Sequence, residues 1–285
     1  MGDVGSPGAL PGASEVANEY GTCLVLWKEL QCVAAMEAQS PDLILKNLQL
    51  VYGIGPKTES RLRTEGYSTV VDLLVHEKWG GRARPVAQAY EEADASVLSQ
   101  CGARDVELLS MYAPDEIAFM DIETTGLAAT YALFMVGMLL PSHGGLALCQ
   151  VIAREYEEEP AVLEEVRFRL ARARAVVTYN GKSFDVPFVR RRLAYHGMDV
   201  KVDFAVIDLL CHARRKYVGT IPNCRLTTVE RCVLGLDRGQ DVPGELIPAM
   251  YNEFVRTRNW DILIPILDHN EFDLIALARL LPLLV

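Results

Sequence analysis

The chain has 285 residues, half of them hydrophobic, with a formal net charge of −10 and a pI near 5.1. That is enough apolar material for one large core or two modest ones, which excludes wholesale disorder. The acidity works against long-range attraction of nucleic acid unless positive charge is gathered locally.

Residues 1–20, MGDVGSPGALPGASEVANEY, are rich in Gly, Pro and Ala and read as a loose tail. The apolar CLVLW that follows is too short for a signal sequence. Residues 22–38, TCLVLWKELQCVAAMEA, hold good helix formers and predict a helix, so that 1–40 reads as a flexible tail plus a short helix. Residues 41–110 read as a small all-α domain: helix, tight turn at YGIGPK, helix, turn, and a further helix capped by Ser68 or Thr69. Residues 82–100 are again helical in pattern.

The texture changes after residue 111. IAFMDIE, ALFMVGMLL, LALCQVIARE and RAVVTYN read as four strands, with a helix from Glu158 to Arg174 between the third and fourth. After residue 184 the pattern is nearly all helical. An α/β domain over 111–285, with a mixed sheet flanked by helices, is the expectation. The seven cysteines form no CxxC pair and read as reduced thiols. No stretch approaches the ~20 apolar residues of a membrane span, so no membrane partner and a cytoplasmic location are expected.

Acids recur beside apolar structure. Asp121 and Glu123 in FMDIETTGL lie one residue apart at a strand end and share a face. Two unpaired carboxylates that close repel each other and resist desolvation, so a positive partner is required. Asp185 follows VVTYNGKSF and opens a helix, where it serves either as an ordinary cap or as a ligand. Asp208 in FAVIDLLCHARRKY reads as a structural acid in an apolar helix. His269 and Asp273 in HNEFD are four residues apart and share one helix face.

Taken in order, DIETTGL, YNGKSFD and HNEFD resemble the three exonuclease motifs of the DEDD superfamily, which has an RNase H-like fold. With DVPGELIPAMYNEF between them, they look most like the YprB-type branch of predicted exonucleases, over roughly 114–285. The resemblance implies a 3′→5′ exonuclease that hydrolyses phosphodiester bonds with two Mg²⁺ or Mn²⁺ ions. Asp121, Glu123, Asp185 and Asp273 would be the metal ligands, which supplies the missing positive charge. His269 would orient or deprotonate the attacking water, with a helix-surface role as the alternative. The tyrosine subclass sets this residue four before the final Asp and the histidine subclass five before; His269 combines the residue of one with the spacing of the other. Asn180 and Arg190 would contact the nucleic acid. LVYGIGPKTESRLR resembles a helix-hairpin-helix motif, which would bring Gly53, Ile54, Gly55 and Lys57 to a DNA phosphate, with Arg61 and Arg63 on the next helix. Such hairpins also serve packing or protein contact, and residues 1–110 carry nine Lys and Arg against fifteen Asp and Glu. The clusters Arg190–Arg192 and Arg214–Lys216 could grip a strand or form solvated faces. DNA is favoured over RNA as partner. The rival reading is a non-catalytic nucleic-acid-binding or scaffold protein that retains a nuclease fold.

Overall fold

The computed structural model describes Leu10 and residues 12–30, 43–143, 145–201 and 204–285. The chain divides into two compact units, residues 36–116 and a second made of 1–35 together with 117–285. In chain order the elements are β1 (Ala13–Asn18), β2 (Gly21–Leu30), α1 (Pro56–Thr64), α2 (Gly80–Glu91), α3 (Ala95–Gln100), α4 (Asp105–Leu109), β3 (Ile117–Thr124), β4 (Leu133–Ser142), β5 (Gly145–Ile152), α5 (Glu159–Arg169), β6 (Ala175–Thr178), α6 (Asp185–Tyr195), β7 (Ala205–Asp208), α7 (Leu209–Tyr217), α8 (Leu226–Val229), α9 (Ile247–Thr257) and α10 (Trp260–Leu284).

The larger unit is built on one mixed sheet in the order β1-β2-β5-β4-β3-β6-β7. Antiparallel pairing runs from β1 to β3, and the β3–β6 and β6–β7 pairs are parallel. β4 and β5 are apolar almost throughout and buried on both faces, as strands covered by helices must be. One face packs Ala118, Met120 and Ile122 of β3 among residues that include Val162 and Val166 of α5. The opposite face of β3 carries Asp121 and Glu123, and α10 reaches Asp121 there through Asn270.

Two expectations fail here. Within the segment read as tail and helix, residues 13–30 form a β-hairpin; residues 1–9, 11 and 31–40 of that reading lie outside the described residues. Leu, Lys and Glu give residues 22–30 helical composition, but β2 pairs with β5 from Leu24↔Ile152 to Leu30↔Leu146 and buries Cys23, Leu24 and Val25. Tertiary pairing overrides the weak local preference. Asn18 Nδ2 donates to the Ala161 carbonyl at 2.9 Å, which fastens the hairpin to α5. The second failure is β7, a four-residue strand in a stretch read as helical, so Asp208 ends a strand and is not inside a helix.

The smaller unit has its own core, which includes Leu48, Val51, Ile54, Leu62, Leu73, Trp79 and Leu98. Its tight turn uses Gly53 at φ 89°, a conformation that favours glycine, and Pro56 occupies the first turn of α1. The further helix expected after Gly66 is only a 3-10 turn, Asp72–Val75. Asp72 accepts from the Ser68 and Thr69 amides at 2.9 and 2.8 Å, and Thr69 Oγ1 accepts from the Asp72 amide. The helical stretch expected over 82–100 breaks at Ala93, φ 51°, and restarts with Asp94 capping α3.

Candidate active site

The site is assembled from one strand, one helix start and one long helix. β3 presents Asp121 and Glu123 on a single face, Asp121 opposite Gly137 of β4 and Glu123 opposite Met135. β6 leads into the loop that delivers Asp185, buried at the start of α6. Asp208 shapes that loop. Its carboxylate accepts from the amides of Asn180 (2.8 Å), Lys182 (3.2 Å) and Leu210 (3.0 Å), tying the loop to the start of α7. Asn180 itself stands at φ 69°, a left-handed position that Asn tolerates, with its side chain exposed.

α10 brings His269, Asn270 and Asp273. His269 Nδ1 lies 2.8 Å from Asp241 Oδ1, and its Nε2 lies 3.5 Å from Asp273 Oδ2. The Arg238 side chain, 7% exposed, lies 2.6 Å from Glu230 Oε2, 3.1 Å from Asp241 Oδ2 and 2.6 Å from Asp273 Oδ1. The Asp273 contact is an ion pair by distance and lacks the alignment of a hydrogen bond, since Arg238 Nη2 has no properly directed acceptor. Asn270 is fully buried and donates to Asp121 Oδ2 at 2.8 Å.

The acids feel one another. Burial, then the charges of Asp273, Glu123 and Asp185, push the Asp121 carboxyl well above the usual range; the Asn270 hydrogen bond opposes them. Glu123 is raised by burial and by Asp273, Asp185 and Asp241. Asp185 is pushed up to about 7, by burial first and also by Asp208 and Asp273, against the pull of backbone hydrogen bonds. No lysine or arginine among the described residues is paired with Asp121, Glu123 or Asp185, whereas Asp273 has Arg238.

The donor chemistry fits a hard divalent cation, which takes oxygen ligands and would relieve this repulsion. Among the described residues, however, no three carboxylate, imidazole or thiolate groups already converge on one ion position.

Asp121, Glu123, Asp185, His269 and Asp273 thus fall in one neighbourhood. Arg190 is exposed on α6. Its neighbour Arg192 is no strand gripper: it is buried against Glu159, with Nε 2.7 Å from Oε1, and Glu159 also accepts from the Leu133 amide. Lys216 donates to the Leu283 carbonyl. In the smaller unit, the Ile54 amide is bonded to the Val51 carbonyl and its side chain is buried, while Lys57 is exposed. Arg61 and Arg63 pair with Glu65 and Glu59. Sequence reasoning missed Arg238, Asp241 and Asn270. The first two sit between helices with no periodic pattern, and the only signal for Asn270 was its place inside HNEFD.

Residues 118–285 match the RNase_H_2 family of the RNase H superfamily. The chain is 32% identical over 173 residues to an uncharacterized protein, YprB, of Bacillus subtilis (strain 168), covering 59% of this chain and 42% of that protein. It therefore spans less than half the length of this relative. Among solved structures it is similar to the family B DNA polymerase of the hyperthermophilic archaeon Pyrobaculum calidifontis, at TM-score 0.47 and 15% identity, covering 58% of this chain and 24% of the polymerase. The family match takes in all four site acids and His269 together with five of the seven strands, β3 from its second residue, and by that extent the chain belongs to the RNase H superfamily.

Proposed function

We propose that this chain is a metal-dependent nuclease, and more finely a 3′→5′ exonuclease that acts on DNA in preference to RNA. The observation that carries the reading is the group Asp121, Glu123 and Asp185: mutually repelling acids, raised in pKa, with no basic partner among the described residues. A fold that needed these positions only for stability would fill them with apolar or paired side chains. Asp121, Glu123, Asp185 and Asp273 would hold two Mg²⁺ or Mn²⁺ ions. Such ions supply a nucleophile at neutral pH and stabilise charge on the leaving 3′ oxygen.

The chain's own residues divide the rest of the work. In the tautomer whose Nδ1–H donates to Asp241, the His269 Nε2 would be left as the acceptor beside Asp273 and would take a proton from the attacking water. Asn180, exposed on a loop braced by Asp208, and exposed Arg190 would contact the strand. In the smaller unit, the Gly53–Gly55 turn, α1 and exposed Lys57 form a helix-hairpin-helix contact for a DNA phosphate, in which Ile54 anchors the turn to its core. The polarity and the preference for DNA rest on family resemblance alone.

Digestion of end-labelled single- and double-stranded DNA and RNA with Mg²⁺ or Mn²⁺ tests the reading. A ladder shortening from the 3′ end is expected, abolished by Asp121→Ala or Asp185→Ala. The rival reading, a non-catalytic scaffold, draws on the Arg238–Asp273 pair, which already satisfies one acid. Thermal stabilisation by Mn²⁺ together with cleavage would reject it; neither effect would favour it.

A further inference from the structure

Asp121 is held by more than its own strand. Opposite it on β4 stands Gly137, and opposite Gly137 on β5 stands Gln150. These positions form one row across the sheet and share a face. A Cβ on Gly137 would lie 1.8 Å from Asn270 Oδ1 and 2.8 Å from its Nδ2. Gly137 is therefore the gap through which α10 lowers Asn270 onto the sheet. Both polar side chains are sealed from solvent, Asn270 at 0% and Gln150 at 1% exposure.

The hydrogen bonds give this row a direction. Gln150 Nε2 donates to the Leu267 carbonyl at 2.8 Å and to Asn270 Oδ1 at 3.0 Å. Because Gln150 presents a donor, the Asn270 oxygen turns to it and the Asn270 amide nitrogen faces the acid. That nitrogen donates to Asp121 Oδ2 at 2.8 Å and approaches the Asp121 carbonyl at 3.5 Å. Packing α10 on β4 needs no buried amides; an apolar side chain with a larger residue at 137 would serve without desolvation. The polar row ends on the one strand that carries two site acids.

We propose that Asn270 is a positioning residue: seated in the Gly137 gap and oriented by Gln150, it ties down Oδ2 of Asp121 and leaves Oδ1 to a divalent cation. The proposal rests on the metal-dependent reading of the acids. Partners that orient metal ligands commonly affect metal affinity as strongly as some ligands do.

The test is calorimetric titration of the full chain with Mn²⁺ alone, accompanied by thermal melts in metal-free buffer. Asn270→Ala should weaken Mn²⁺ binding by about 10- to 100-fold. Gly137→Ala should evict Asn270 and lose both Mn²⁺ affinity and stability. The double variant Gly137→Ala/Asn270→Ala separates the two effects, because the clash is gone and the donor is still missing. It should melt close to Asn270→Ala while its Mn²⁺ affinity stays low. Wild-type affinity in Asn270→Ala, or in the double variant, would overturn the proposal and leave Asn270 a packing residue. A wild-type protein that binds no Mn²⁺ would overturn the metal reading and this proposal with it.

Discussion

Asp185 carries the clearest pH consequence of the site, because its carboxyl rises from 3.8 to about 7 on folding. A raised acid favours the protonated folded form, so its contribution is present below about pH 4 and lost as pH climbs through 7. In metal-free buffer, Asp185→Asn should therefore gain thermal stability over the wild type between pH 5 and 8 and gain least near pH 4. Melting curves of the two proteins across that range check it, and saturating Mn²⁺ should reverse the order at pH 7. His269 is expected to govern rate and not metal affinity. His269→Ala should lower turnover by about 10²-fold or more, with Mn²⁺ binding nearly unchanged, measured by single-turnover cleavage and calorimetry. The grouping of the acids with His269 was legible only from DIETTGL, YNGKSFD and HNEFD taken together and in order; each acid beside its apolar stretch was a weak signal alone. Arg238 and Asp241 were not legible: nothing local in LDRGQDVPG says that its guanidinium folds inward to meet Glu230 and Asp273.

Elements were legible where burial and local preference agree. β3, β4 and β5 are long apolar runs, and their strands were read within a few residues of the observed bounds. β2 shows the opposite case. Its residues favour a helix locally, and pairing with β1 on one side and the distant β5 on the other supplies what makes it a strand. β7 is four residues long, too short for alternation to register. The hairpin makes a stability prediction that a loose tail would not. Leu24 is buried at the β2–β5 seam, so Leu24→Ala should cost about 2–4 kcal/mol in urea unfolding. A change within a few tenths of a kcal/mol would place the segment outside the cooperative core.

At the scale of the whole chain, the helical unit interrupts the sheet unit: residues 36–116 fall between β2 and β3, and the sheet is completed from both sides of the interruption. Removing everything before residue 117 would delete β1 and β2 along with the hairpin motif, and expose the β5 edge that β2 covers. The informative change is excision of 36–116 with a flexible Gly/Ser linker of about 20 residues, long enough to leave the strand ends unstrained. Each unit has a separate buried core, so the shortened protein should fold, bind Mn²⁺ and cleave. If the Gly53–Gly55 turn and Lys57 contact phosphates, it should bind duplex DNA more weakly and with a shallower dependence on salt. Loss of one or two phosphate contacts removes about 1 to 2 from the slope of log affinity against log salt. Lys57→Glu in the full chain should move affinity the same way without touching turnover at saturating substrate. Equal DNA affinity for the full and shortened proteins at every salt concentration would instead assign the hairpin unit to protein contact, since an acidic unit with no phosphate contact has nothing to lose on excision.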